Sequence, residues 1–156
     1  TERLRAFRFR PGSPRVLAPL FQVISGRVVA LDIEDPWCGA RRQNRVRLAE
    51  FLGMVEATGV EIERLNVTWN PDHNDRESSS EQAASMREEI LSAGISVKPE
   101  ITPRTARGRH FHDRIVTART IDDGSPLRAR WDVTAGIDNL MSYTKECSVF
   151  LEASEA

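Results

Sequence analysis

The sequence predicts an α/β domain built on a mixed sheet, and three observations carry that expectation. Segments of period-two alternation, "LRAFRFR" and "VEIERLNVTWN", read as strands with one face buried. Two longer stretches, "RRQNRVRLAEFLGMVEATG" and "SSEQAASMREEILSAG", read as helices that stop on glycine. A "DDGS" tight turn then joins two further strands as a hairpin. Strand, helix, strand, helix, strand and hairpin, in that order, describe a mixed sheet flanked by helices.

The elements follow one another with clear punctuation. "LRAFRFR" opens the chain, "PGSPRV" breaks it, and "RVLAPLFQVIS" is a short helix ended by Gly26. "RVVALDI" is a continuous apolar run, the mark of a strand buried on both faces, and it closes on Glu34, Asp35, Pro36 and Trp37. The next helix sets Val46, Leu48, Ala49, Leu52 and Val55 near a helical period and stops at Gly59. After the strand "VEIERLNVTWN" comes a polar loop, "PDHNDRESSS", in which His73 is expected to be solvated. The second long helix is capped by Ser79 or Ser80 and ends at Gly94. "ISVKPEI" is a strand, "TPRTARGR" a loop, and "HDRIVTARTI" and "LRARWDVTA" are the hairpin arms. "IDNLMSYT" is a short helix and "CSVFLEA" the last strand.

A chain of 156 residues with 40% apolar content is expected to form a single domain over residues 1–156 with its own core. No stretch approaches the roughly 18 apolar residues of a membrane span. The charged opening "TERLRAFRFR" is not a signal peptide, and a start at Thr1 suggests a piece of a larger protein whose other domains would be partners. Cys38 and Cys147 then read as free thiols in a reducing compartment, which places the chain in the cytoplasm, with a peripheral membrane position as the other option. There is no CxxC and no Cys/His quartet, so neither a metal nor another cofactor is expected.

Anion chemistry is concentrated in one place. Of 22 basic residues all are Arg except Lys98 and Lys145, and Arg suits bidentate phosphate recognition. Residues 1–30 carry six Arg against Glu2, and residues 104–114 carry four Arg and two His against Asp113. Ligands of α/β folds bind where loops leave the carboxyl ends of strands, and Asp35 stands at such an end. Gly108 to His112 stands at the entrance to a strand instead. If that strand runs antiparallel to the one ending at Asp35, both clusters face one crevice. Arg41, Arg42 and Arg45 fall in the first turns of the following helix, where cations oppose the helix dipole and a bound anion would relieve them.

A family resemblance rests on four segments in order. These are "FRFRPGSPRVLAPLF", the strand end "IEDPW", the helix end "LSAGISVKPEI", and "HDRIV" followed by Gly124 and "AGIDNL". Together they resemble the phospholipase D-like domain found at the C-terminus of MIT-domain proteins, over about Leu4 to Phe150. The resemblance implies a phospholipase D-like mixed sheet, generally used without catalysis. In eukaryotic members it implies association with phosphoinositide-bearing membranes, and in bacterial members a terminal module of a multidomain, defence-type protein. One departure stands out. Where the family has an arginine between two glycines, this chain has Thr134, Ala135 and Gly136 before Ile137 and Asp138.

Phospholipase D enzymes use a histidine nucleophile, a lysine two residues on, an aspartate five beyond that, and a second histidine that protonates the leaving group. His112 and Arg114 match the first two positions, with Arg for Lys, but Arg119 stands where the aspartate belongs. His110, His112 and Arg114 would share one strand face, and Asp35, Asp113 or Asp138 would offset their charge. His112 bonded to Asp35 or Asp138 would equally serve as a structural tie.

The sequence therefore favours a non-catalytic module that binds a phosphorylated ligand: a lipid headgroup, a nucleotide or a nucleic acid backbone. Its expected contacts are Arg41, Arg42, Arg107, Arg109, His110, His112 and Arg114, supported by Asp35, Asp113 and Asp138. The alternatives are a metal-independent phosphodiesterase with His112 as nucleophile, in which a homodimer joins two motifs, and a protein-interaction module.

Overall fold

The computed structural model describes residues 3–95, 99–103 and 113–155. Among these, seven strands make one sheet: β1 Arg3–Phe9, β2 Val28–Glu34, β3 Glu61–Trp69, β4 Glu100–Pro103, β5 Ile115–Thr120, β6 Leu127–Val133 and β7 Cys147–Glu155. Their order across the sheet is β1-β7-β6-β5-β2-β3-β4. The β2–β3 and β3–β4 pairs are parallel, and the others are antiparallel. The helices are α1 Ala18–Phe21, which continues as a 3₁₀ turn Gln22–Ile24, then α2 Arg42–Ala57, α3 Ser79–Ser92 and α4 Gly136–Ser142. The expected mixed sheet flanked by helices is present.

The helices cover one face of the sheet. Leu20, Phe21, Leu48, Leu52, Met86, Ile90, Ile137 and Leu140 join Leu31, Val67, Trp131 and Val149 in a single buried cluster. Trp131 is its hinge: the ring lies 4.8 Å from Phe21, and Nε1 donates to the Leu20 carbonyl at 2.8 Å. Trp69 Nε1 donates to Gln82 Oε1 at 2.8 Å, and Gln82 Nε2 donates to the Pro71 and Glu77 carbonyls, so this fully buried amide is satisfied. Gly39 is required beside this pair, because a Cβ there would overlap Trp69 and Met86.

The other face is charged. Asp32, Arg119, Arg128, Arg130 and Glu152 point away from the helices and are exposed. This corrects the expectation that "RVVALDI" is buried on both sides: Val29, Leu31 and Ile33 are buried, but Asp32 is exposed on the face that carries no helix among the described residues. Two smaller corrections are local. The cap of α3 is Ser78, which precedes both candidates, Ser79 and Ser80, in a reciprocal capping box with Glu81. The β5–β6 connection, residues 121–126, is a loop rather than a tight turn. It is organised by Asp122, which accepts from Arg27 Nη2 at 2.7 Å and from the backbone N–H of Val28 and Gly124 at 3.0 Å. The Arg27 guanidinium, first among these donors, holds the Asp122 carboxyl well below the usual carboxylate range.

Candidate functional site

Glu34 pairs with Ile115 in the antiparallel β2–β5 ladder, so the exit of β2 and the entry of β5 meet at one sheet edge. Asp35 follows β2 and Arg114 precedes β5. The start of α4 closes the same corner, and the start of α2 forms its outer wall. The resulting cleft, about 490 Å³, is lined by Asp35, Trp37, Arg41, Arg114, Asp138 and Lys145, with Asn44 and Asn139 between them.

Asp35 forms the floor. It is 2% exposed, and its Oδ1 accepts from the Trp37 N–H at 2.9 Å while Oδ2 accepts from the Ile137 N–H at 3.0 Å. One carboxylate thus ties the strand end to the first turn of α4. Burial pushes its pKa up; the two backbone donors and the Arg114 charge oppose that rise. Gly136 makes the junction possible. Its φ is +85°, and a Cβ there would lie 3.0 Å from Arg114 Cδ and 3.3 Å from Asp35 Oδ2.

Arg114 is anchored at one end. Nη1 donates to the Thr134 carbonyl at 3.0 Å, and the Arg114 carbonyl accepts from the Val133 N–H at 2.9 Å. Its Nε is buried without a partner among the described residues, as is Asp138 Oδ1. None of Arg41, Arg114 and Lys145 has a carboxylate within ion-pair distance among those residues. Lys145 is set in place from below: the buried guanidinium of Arg15 donates to its carbonyl and, at 2.8 Å, to that of Leu140.

Trp37 stands at the rim. Asn44 Nδ2 donates to its carbonyl at 2.7 Å, and its ring stacks on His73 with centroids 3.5 Å apart at 8°. His73 is therefore a stacked, half-buried ring, which corrects its assignment as solvated. Cys38, just behind, is buried, and burial pushes its thiol well up.

The structure brings together Asp35, Arg41, Arg114 and Asp138 from the sequence-derived set. Asp113 is exposed on the approach to β5. Arg42 is not in the cleft. One residue is about 100° around a helix, and that rotation turns Arg42 toward Glu89 on α3, at 3.9 Å. Arg45 does not wait for an anion either: it is 2% exposed, donates to the Gly39 and Ala40 carbonyls at 3.0 and 3.1 Å, and pairs with Glu77 at 3.3 Å. Arg119 lies on the charged sheet face, in a groove with Asp32, Arg128 and Glu152. Arg107, Arg109, His110 and His112 lie outside the described residues. Sequence reasoning missed Lys145, Asn44 and Asn139. Lys145 had one signal, being one of only two lysines in an arginine-dominated chain.

No family model matches the chain, and no curated protein matches it. Among solved structures it is similar to a phospholipase D family member, Nuc, from Salmonella typhimurium, at 13% identity and TM-score 0.45, over 97% of this chain and 83% of that one. It is also similar to yeast tyrosyl-DNA phosphodiesterase, at 10% identity and TM-score 0.48, over 97% of this chain but only 31% of that one. The likeness is distant, and no residue role passes from those proteins to this chain. No helix among the described residues is long and apolar enough to cross a membrane, and no group of three or more His, Cys, Asp or Glu among them is arranged to hold a metal ion.

Proposed function

We propose that the chain is a recognition module whose cleft binds a phosphate group. The observation that carries this is the Arg114 guanidinium, anchored on the Thr134 carbonyl and with no carboxylate within ion-pair distance among the described residues, in a cleft that also holds Arg41 and Lys145. A phosphate placed there gains charge-assisted hydrogen bonds, and the anchored Arg114 loses less side-chain freedom on binding than the exposed Arg41 and Lys145 do. Arg107, Arg109, His110 and His112, just before Arg114 in the chain, would add further cationic contacts.

A second reading is hydrolysis of a phosphodiester: an imidazole nitrogen of His112 would attack phosphorus, the P–O bond to one ester oxygen would break with that oxygen taking a proton from His110, and water would then cleave the P–N bond to release the phosphomonoester and free His112. Asp138 favours it: a buried Oδ1 without a donor among the described residues, in the same cleft as Arg114, is the acceptor an imidazole N–H requires.

Calorimetric titration of inorganic phosphate and of a phosphodiester at low and moderate salt, with product scored in the same samples, tests both. The module predicts salt-sensitive binding that Arg114→Ala weakens about 10-fold or more, with no product formed. Metal-independent turnover abolished by His112→Ala would replace the first reading by the second.

A further inference from the structure

Resting on the phosphate reading, we propose that the cleft takes a nucleotide unit, with its base stacked on Trp37 and its phosphate among Arg114, Arg41 and Lys145. Trp37 is the odd tryptophan of this chain. Trp69 and Trp131 are 0% and 1% exposed, whereas Trp37 is 41% exposed. Exposure alone would be unremarkable for an edge aromatic. What distinguishes Trp37 is that it is exposed and held at three points: its N–H on Asp35, its carbonyl on Asn44, and one ring face on His73. The same Asp35 that seats Ile137 and lies beside Arg114 therefore fixes the start of the indole-bearing loop, so ring and cation belong to one rigid corner.

A planar ring backed on one face and presented at a cationic cleft is a stacking platform for another planar ring. Stacking on such a platform is worth about 1–3 kcal/mol per base and tolerates any base, because every base has a π-face. The cleft size, about 490 Å³, falls in the range of small-molecule sites. Asn44 and Asn139 both spend their NH₂ groups on backbone carbonyls, of Trp37 and Ala135, which leaves their Oδ1 atoms as acceptors for the amino edge of a base. A lipid headgroup matches this lining less well. Apart from Trp37, the wall consists of charged, amide and small residues, with no apolar groove for an acyl chain.

A free nucleotide and the end of a single-stranded nucleic acid share this chemistry, and the test separates them. The full chain is titrated calorimetrically with adenosine 5′-monophosphate, ribose 5-phosphate, inorganic phosphate and a 5′-phosphorylated trinucleotide. Tryptophan fluorescence is followed in parallel. We expect adenosine 5′-monophosphate to bind at least about 5-fold more tightly than ribose 5-phosphate, in line with one stacked base, and to quench the emission. The quench reports Trp37, since the other two tryptophans are in the core. Trp37→Ala is expected to abolish that preference while leaving ribose 5-phosphate affinity unchanged, which also shows that the variant cleft is folded. Trp37→Phe is expected to retain part of the preference. Tighter binding of the mononucleotide assigns a free nucleotide, and tighter binding of the trinucleotide assigns a nucleic acid end. Equal affinity for adenosine 5′-monophosphate and ribose 5-phosphate overturns the nucleotide inference and leaves the phosphate reading standing. Absence of binding by every phosphate, inorganic phosphate included, overturns the phosphate reading and this inference with it.

Discussion

Gly136 is where the backbone and the chemistry of the cleft meet. Its positive φ and the 3.0 Å approach of a notional Cβ to Arg114 mean that any side chain there strains the turn and displaces the cation. Gly136→Ala is expected to cost about 1–3 kcal/mol and to weaken phosphate binding as well. Urea unfolding and phosphate titration of the same variant check the two effects separately. Wild-type stability with lowered affinity would mean that Arg114 moves without backbone strain. Asp35, across the same contact, is the case in which one residue serves both structure and site: its two backbone hydrogen bonds are structural, and its proximity to Arg114 shapes the cleft's charge.

Among the elements, the ends and not the middles carry the information. Ser78 and Glu81 form a reciprocal cap on α3, so Ser78→Ala is expected to lose about 1 kcal/mol, read as a lowered urea midpoint at unchanged slope. The β5–β6 loop depends on Asp122 in a pH-dependent way. Its carboxyl titrates lower in the folded chain than the ordinary value near 4, so the stability it confers is complete above that value and is lost as pH falls below it. Asp122→Asn is expected to be less stable than the parent at pH 7, with the gap closing as pH drops below about 4. An unchanged gap at pH 3 would show that the interaction is not electrostatic. The same ends explain what was legible in the sequence. Alternating, continuous apolar and helical runs marked the long elements, because those patterns are set by burial, but β4 lies at Glu100–Pro103, overlapping only the end of "ISVKPEI", and the 3₁₀ turn Pro71–His73 falls in a stretch that reads as loop. The identity of the α3 cap among three consecutive serines, and the loop form of the β5–β6 connection, depended on tertiary partners such as Arg27. Asp35 and Arg114 could be placed at one edge once the strand directions were guessed. Arg42 and Arg45 could not be sorted from Arg41, because only packing against Glu89 and Glu77 shows which way each turns.

At the scale of the whole molecule, the two sheet faces answer to different physics. "RVVALDI" misled on this point: a central strand flanked on both sides shows the same apolar run whether helices lie on one face or two, and Asp32 was the residue that told them apart. On the helical face Ala118, Ala129 and Ala153 lie side by side on β5, β6 and β7 at 3%, 3% and 2% exposure, with no water to solvate a charge. On the open face Arg119 and Arg128 stand directly opposite each other across β5 and β6, like charges in register with no ion pair to either among the described residues. Neighbouring positions 128 and 129 should therefore respond in opposite directions. Arg128→Glu replaces a repulsive cross-strand pair by an attractive one and is expected to stabilise the fold by about 0.5 kcal/mol, an effect that added salt removes. Ala129→Asp buries an unpaired carboxylate against the helices and is expected to cost about 4 kcal/mol or more, a large share of the roughly 5–15 kcal/mol by which a domain is stable. Urea unfolding of the two variants at low and high salt measures both. If Arg128→Glu proved as damaging as Ala129→Asp, the charged face would have to be covered in the folded protein, and the one-sided packing described above would be wrong.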